Sequence, residues 1–159
     1  MPPYTFESTE INNKKGSELE TKSLLYLMGI HKDCGEVELV AVDCFNDVTG
    51  ISEDFEKLWD VQSKNHAYLP PSKIGESLYT LYGNYISSLE FYSYILFVPK
   101  IDRRYLVDGE LHVYGYDNIR LDKRPNIERK LIEKIKSRLG IESPPLLHDF
   151  LNLVEFVED

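Results

Sequence analysis

Three polar side chains, Asp47, Gln62 and Lys64, occur in an order and at a spacing that suit metal-assisted chemistry. Asp47 follows one predicted strand, and Gln62 and Lys64 occupy alternate positions of the next, so those two share a face. A hairpin would bring Asp47 to the same face. A carboxylate and an amide oxygen are ligands that Mg²⁺ accepts, and a nearby lysine can reach an attacking water or the charge that develops on a phosphate.

Other residues complete this constellation. The Ser63 backbone carbonyl is a further candidate ligand, Asp43 precedes Asp47 by four residues, and Glu20 ends a Gly-x-x-Leu-Glu pattern on a predicted helix. Each position also has a purely structural explanation, because Asp47 suits a turn and Gln62 and Lys64 suit the polar face of a half-exposed strand.

Hydrophobic periodicity predicts the elements that position these residues. Apolar residues at helical spacing predict helices, and alternating or continuous apolar runs predict strands; a segment rich in turn residues is expected over 46–54. The predicted helices cover 14–30, 72–89, 126–139 and 146–157, and the predicted strands cover 36–45, 57–64, 91–98 and 110–116. The run 91–98 is almost continuously apolar, which indicates a strand buried on both faces.

The chain has 159 residues, 42% of them hydrophobic, which is enough to bury the core of one domain. We expect a single domain over 1–159, with a core over about 14–120 and C-terminal helices over about 126–157. It could be a complete protein or the N-terminal part of a longer one. No membrane span and no leader in residues 1–13 are visible, so we expect a cytoplasmic protein with Cys34 and Cys44 reduced.

The net charge of −9 is unevenly distributed. Residues 1–99 carry −8 and residues 141–159 carry −5, whereas residues 100–140 carry +4. An acidic balance argues against a nucleic-acid partner, but the basic segment could be either a solvated helix face or a strip that binds phosphates.

The order of Glu20, Asp47 and Gln62-Ser63-Lys64 resembles the PD-(D/E)XK nuclease superfamily, in the variant whose last motif is Gln-x-Lys. The nearest group is the double-stranded-DNA endonuclease domain of bacterial anti-phage defence effectors. The resemblance covers about residues 14–100, and its matching residues are Gly16, Glu20, Asp43 and the segments 46–48 and 61–64.

The resemblance implies an α/β fold with a restriction-endonuclease-like αβββαβ core, in which a mixed central sheet is flanked by helices, and extra C-terminal helices follow. It implies that Asp47 and Gln62, aided by Ser63, Asp43 and Glu20, bind Mg²⁺ or Mn²⁺ while Lys64 acts on water and phosphate. The substrate would be double-stranded DNA. Because one site cuts one strand, a homo-oligomer or an associated sensor module is expected, with no membrane.

Two departures from the family pattern keep alternatives open. No proline precedes Asp47, and Gln62 is neutral where an acidic residue is usual. The chain could therefore be a catalytically inactive module of the same fold that binds protein or DNA. It could also be an unrelated small α/β binding protein, in which case Asp47 and Gln62 are expected on opposite sides of the sheet.

Overall fold

Six strands form one mixed sheet with helices on both faces. The structure, a computed structural model, describes residues 14–66 and 68–159, so the polar segment 1–13 lies outside the described residues. The helices are α1 (Lys14–Gly29), α2 (Pro71–Ser77), α3 (Tyr79–Tyr85), α4 (Arg124–Leu139) and α5 (Leu147–Leu153). The strands are β1 (Leu39–Val42), β2 (Val48–Ile51), β3 (Leu58–Ser63), β4 (Ser93–Val98), β5 (Val113–Gly115) and β6 (Val154–Glu158).

The strand order is β1-β2-β3-β4-β6-β5. The first three strands are antiparallel neighbours, β3, β4 and β6 are parallel, and β5 is antiparallel to β6. The α/β class and the mixed sheet flanked by helices are therefore confirmed.

The two faces of the sheet are covered by different helices. Trp59 and Val61 of β3 pack with α1, as do Ile95 and Phe97 of β4. Tyr94, Leu96 and Val98 face a larger cluster that includes α2, α3, α4 and α5. The prediction of a strand buried on both faces is confirmed for residues 94–98, whereas β4 begins at Ser93 and Tyr92 is exposed. The prediction that Trp59 and Val61 belong to the core is confirmed.

The turn expected over 46–54 is wrong, because residues 48–51 form β2, a fully paired strand between β1 and β3. Gly50, which suggested a turn, is instead closely packed against side chains of α1 and β3. A Cβ atom there would lie 2.8 Å from Leu27 Cδ2 and 3.3 Å from Trp59 Cε3. The small residue lets α1 approach the sheet closely.

The single helix expected over 72–89 is two short helices that meet at Leu78. The prediction of a helix over 126–139 is confirmed by α4, which ends at Gly140 in the left-handed conformation (φ 69°), where glycine carries no Cβ penalty.

The last helix, expected over 146–157, is also wrong in its second half. Only α5 is helical, and the following residues form β6 between β4 and β5. The apolar positions 147, 150, 151 and 154 fit a helical period, but β-branched and aromatic residues at 154, 156 and 157 fit the vacant position in the sheet better. The core therefore extends beyond residue 120 to the C-terminal strand, and Phe150, Leu151 and Val154 pack within this chain rather than against a partner.

Among the described residues, no helix is both long and apolar enough to cross a membrane. Cys34 and Cys44 form no disulfide in the structure, and their reduced state stays a prediction.

The position of β6 between β4 and β5 predicts how a substitution in this strand changes the free energy of unfolding. Phe156 is fully buried, whereas Leu153, at the end of α5, is 55% exposed. We expect Phe156→Ala to lower the free energy of unfolding by about 3–5 kcal/mol, through lost burial and a residual cavity. Urea denaturation would measure this, with Leu153→Ala as the control that stays close to wild type. Equal effects of the two substitutions would contradict the placement of β6.

Candidate metal-binding site

Antiparallel pairing of β2 and β3 brings the candidate residues together. Val48, the first residue of β2, pairs with Val61 near the end of β3. Asp47, immediately before β2, therefore lies beside Gln62 and Ser63. The alternation of β3 then turns Gln62 away from α1 and toward α3, which covers the opposite face of the sheet.

One oxygen of Asp47 is the centre of this contact. Its Oδ2 atom accepts hydrogen bonds from Gln62 Nε2, the Ser63 backbone N–H and the Ser63 hydroxyl, each at 2.7 Å. Oδ1 takes part in none of these three bonds. Asp47, Gln62 and Ser63 therefore lie in contact, and their binding of a cation stays a prediction.

Burial dominates the electrostatics of Asp47, which is 8% exposed. Desolvation raises the pKa of its carboxyl, and the negative charge of Asp43 acts in the same direction. Hydrogen bonds from Ser63 and the positive charge of Lys64 oppose this rise. A bound cation would favour the ionised carboxylate further, because it would supply the positive charge that burial withholds.

The Gln62 side chain is held at both ends. Its nitrogen donates to Asp47 and, at 3.1 Å, to the Ser63 carbonyl oxygen, while its Oε1 accepts a hydrogen bond of 2.9 Å from the Thr80 hydroxyl on α3. In this orientation the amide oxygen points away from Asp47. Binding of a cation by oxygens of both side chains requires the amide to turn over, and the Thr80 hydroxyl can pair with either end because it both donates and accepts.

Asp47, Gln62 and Thr80 form one row of polar side chains, and Asn46, Asp60 and Asn84 form a second row beside it. Asp60 is completely buried, and it accepts hydrogen bonds from Asn46 Nδ2 at 2.8 Å and from Asn84 Nδ2 at 2.7 Å. Desolvation raises the pKa of Asp60 to about 7, assisted by the charge of Asp47 and opposed by the two amide donors. Thus a buried acidic group lies directly behind the candidate ligands.

Lys64 follows the end of β3 and is half-buried. Its backbone N–H donates to the Phe97 carbonyl, which extends the parallel pairing with β4 by one residue. Its ammonium group is close enough to lower the pKa of Asp47. Lys64 is therefore an electrostatic neighbour of the candidate site.

The two remaining candidate ligands, Asp43 and Glu20, come from the β1–β2 loop and from α1. Asp43 is exposed, adopts a positive φ of 54°, and donates its backbone N–H to the Asp47 carbonyl at 3.1 Å. Glu20 is half-buried on α1, the helix that covers the face opposite α3. Direct binding of a cation by Asp43 or Glu20 stays a prediction.

The donor set determines how well a cation fits. Within residues 14–66 and 68–159, no three His, Cys, Asp or Glu side chains form a group that could hold a metal ion. The candidate site instead combines one buried carboxylate with an amide and a backbone carbonyl. One carboxylate with few other protein oxygens is compatible with Mg²⁺, which commonly keeps several waters and is held by one or two carboxylates.

Sequence reasoning missed three residues that organise the site: Thr80, Asn84 and Asn46 in its role as a donor to Asp60. Thr80 and Asn84 are polar residues one helical turn apart on a helix whose other neighbours are largely apolar. Their spacing places them on one face of α3, and that pattern was the available signal.

The basic segment 100–140 is less open to phosphates than its composition suggests. Most of its cations form ion pairs: Arg103–Glu158, Arg104–Asp102, Arg120–Asp122, Lys123–Asp122, Arg129–Glu133, Lys130–Glu133 and Lys136–Glu142. Arg124 donates instead to the carbonyls of Ile119 and Asp117. A nucleic acid bound there would compete with these acids.

No family model, curated protein or solved structure matches this chain. Its function has to be inferred from the residues and their geometry.

The buried carboxyl of Asp60 predicts a pH dependence of stability. Because its pKa is higher in the folded protein than in the unfolded chain, the folded state binds the proton more tightly. The contribution of Asp60 to the free energy of unfolding therefore falls as pH rises from about 4 to about 7. We expect urea denaturation at several pH values to show a smaller decline for Asp60→Asn than for wild type. An unchanged profile in the variant would contradict the shifted pKa.

Proposed function

We propose that this chain is a Mg²⁺- or Mn²⁺-dependent endonuclease that hydrolyses phosphodiester bonds of DNA, as the effector module of a bacterial anti-phage defence system. The observation that carries the proposal is the contact between Asp47 and the Gln62-Ser63 pair, with Lys64 beside it. Asp47, just before β2, lies there beside the last residues of β3, and this proximity supports the proposal.

The chain topology supports the same proposal. Helix α1 is followed by β1, β2 and β3, then by α2 and α3, and then by β4. This is the helix, three strands, helix, strand order of the αβββαβ core, if α2 and α3 are counted as one interrupted helix. The sheet order β1-β2-β3-β4 keeps those strands adjacent.

The roles follow from the chemistry of each group. Asp47, the Gln62 amide oxygen and the Ser63 carbonyl would hold the cation, with Asp43 and Glu20 as candidate additional ligands. The cation would stabilise negative charge on the phosphate and lower the pKa of a bound water. Lys64 would orient the attacking water and attract the charge that develops on the phosphate oxygens.

Double-stranded DNA is the proposed partner. Its phosphates would contact the basic segment 100–140, in which many of the cations form ion pairs with acidic side chains. One such site hydrolyses one strand at a time. Cleavage of both strands therefore calls for two protomers with opposed sites, either as a homo-oligomer or through an associated sensor module.

A catalytically inactive module of the same fold is the second candidate. The observation that favours it is the hydrogen bond from Gln62 Nε2 to Asp47, which stabilises the carboxylate without a cation. Such a module would hold DNA or protein without cutting. The unrelated binding protein is less favoured, because Asp47 and Gln62 lie in contact rather than on opposite sides of the sheet.

Plasmid cleavage in the presence of Mg²⁺ or Mn²⁺ tests the proposal. We expect Lys64→Ala to slow cleavage by on the order of 100-fold or more, because a positive charge is lost beside the phosphate. Lys57→Ala is the matched control: Lys57 lies just before the opposite end of β3 and forms an ion pair with Glu36.

Equal cleavage by Lys64→Ala and wild type would contradict the proposed role of Lys64. No cleavage by wild type with either cation, even at protein concentrations that favour oligomers, would instead support the inactive module.

A further inference from the structure

The row Asn46–Asp60–Asn84, centred on the buried Asp60, connects the β1–β2 loop, β3 and α3. The row Asp47–Gln62–Thr80, which contains candidate ligands, connects the same three segments. Asn46 and Asp47 are consecutive in the β1–β2 loop, Asp60 and Gln62 are alternate residues of β3, and Thr80 and Asn84 are one turn apart on α3. Each segment therefore contributes one residue to each row. Hydrogen bonds that hold the loop, the strand and the helix together in one row therefore also set the distances between the residues of the other row.

We propose that Asp60, through its hydrogen bonds to Asn46 and Asn84, is a positioning residue that keeps Asp47 and Gln62 in contact. Asp60 touches neither Asp47 nor the expected cation in this role; it acts through the loop and the helix. The inference about Asp47 and Gln62 stands on geometry, and its extension to cation binding rests on the proposed function.

Burial makes these two hydrogen bonds strong. Asp60 has no solvent exposure, so the two amides replace the water that would otherwise solvate its oxygens. When Asp60 is ionised, hydrogen bonds to its carboxylate in such surroundings are worth more than neutral ones at the surface. One oxygen binds the loop residue Asn46 and the other binds the helix residue Asn84, so a single carboxylate ties the loop to the helix.

The loop needs such an anchor. Residues 43–47 join β1 to β2, and Asp43 lies there with a positive φ. Asn46 is half-buried and immediately precedes Asp47. Loss of its side-chain amide would free the segment that carries Asp47 while leaving the pairing of β2 with β3 intact, because that pairing begins at Val48.

The contact between Gln62 and Asp47 can be followed by NMR without an assay of enzymatic activity. Gln62 is the only glutamine in the chain, so selective ¹⁵N labelling of glutamine side chains gives one amide pair in an NMR spectrum. Its chemical shifts report on the hydrogen bond to Asp47 Oδ2. Titration with Mg²⁺ on the same signal reports the affinity for the cation.

Asn46→Ala is the test variant and Asn118→Ala is the matched control. Asn118 also fixes a loop, through two hydrogen bonds of 2.9 Å to the backbone of Asp108, but it belongs to another part of the fold. Both substitutions remove one asparagine amide, so both lower the melting temperature.

We expect Asn46→Ala to move the Gln62 amide signals toward those of free glutamine and to raise the apparent Kd for Mg²⁺ by about tenfold, the lower end of the loss found when a residue that orients a ligand is removed. Asn118→Ala should leave both quantities at their wild-type values. A melting-temperature loss in Asn46→Ala with unchanged Gln62 signals would overturn the inference and leave Asn46 with a structural role alone.

The wild-type titration separates this inference from the proposed function. If the wild-type Gln62 signal does not respond to Mg²⁺ or Mn²⁺, the proposed cation site fails. The comparison of Asn46→Ala with Asn118→Ala in the absence of metal still decides whether the buried row positions Gln62.

Discussion

The arrangement of the candidate site depends on one carboxylate oxygen, Oδ2 of Asp47, which accepts three hydrogen bonds from Gln62 and Ser63. These bonds join the residue just before β2 to the last two residues of β3. An antiparallel pair that lacked them would still be a hairpin, but the two candidate ligands would not be held together. Because Asp47 is buried, its remaining negative charge has few groups to compensate it, and Lys64 is the cation acting on its pKa. This imbalance is what a divalent cation would correct.

The two faces of the sheet differ in chemistry: one is an apolar contact with α1, and the other also carries the polar groups of the candidate site. The α1 face of the sheet is an apolar contact made by residues such as Leu27, Trp59 and Val61. On the other face, β3 contributes the polar side chains of Asp60 and Gln62. Helix α3 supplies their hydrogen-bond partners, Asn84 for Asp60 and Thr80 for Gln62. Polar groups buried this deeply require full hydrogen bonding, which ties the loop, the strand and the helix into one unit. The remainder of that face is apolar and is completed by β6.

The candidate ligands on β3 could be predicted from sequence because strand alternation is a local property. Trp59 and Val61 are apolar, Asp60 and Gln62 are polar, and a period of two assigns them to opposite faces. The strand at Val48 and the strand at Val154 could not be predicted in this way. Gly50 is typical of turns but serves a close helix contact, and residues 147–154 fit a helical period until the vacancy beside β4 is known. Likewise, Thr80 becomes part of the site only once α3 is placed on the sheet, since the contact spans 18 residues of chain.

The proposed function requires Asp47 and Gln62 to bind a divalent cation. This can be tested with a crystal structure of the protein soaked in Mn²⁺, with anomalous diffraction collected at the manganese edge. We expect an anomalous peak between Asp47 and Gln62, with the Gln62 amide turned so that its oxygen faces the metal and its nitrogen faces Thr80. A map with no peak there, and with Gln62 Nε2 still bonded to Asp47, would contradict it.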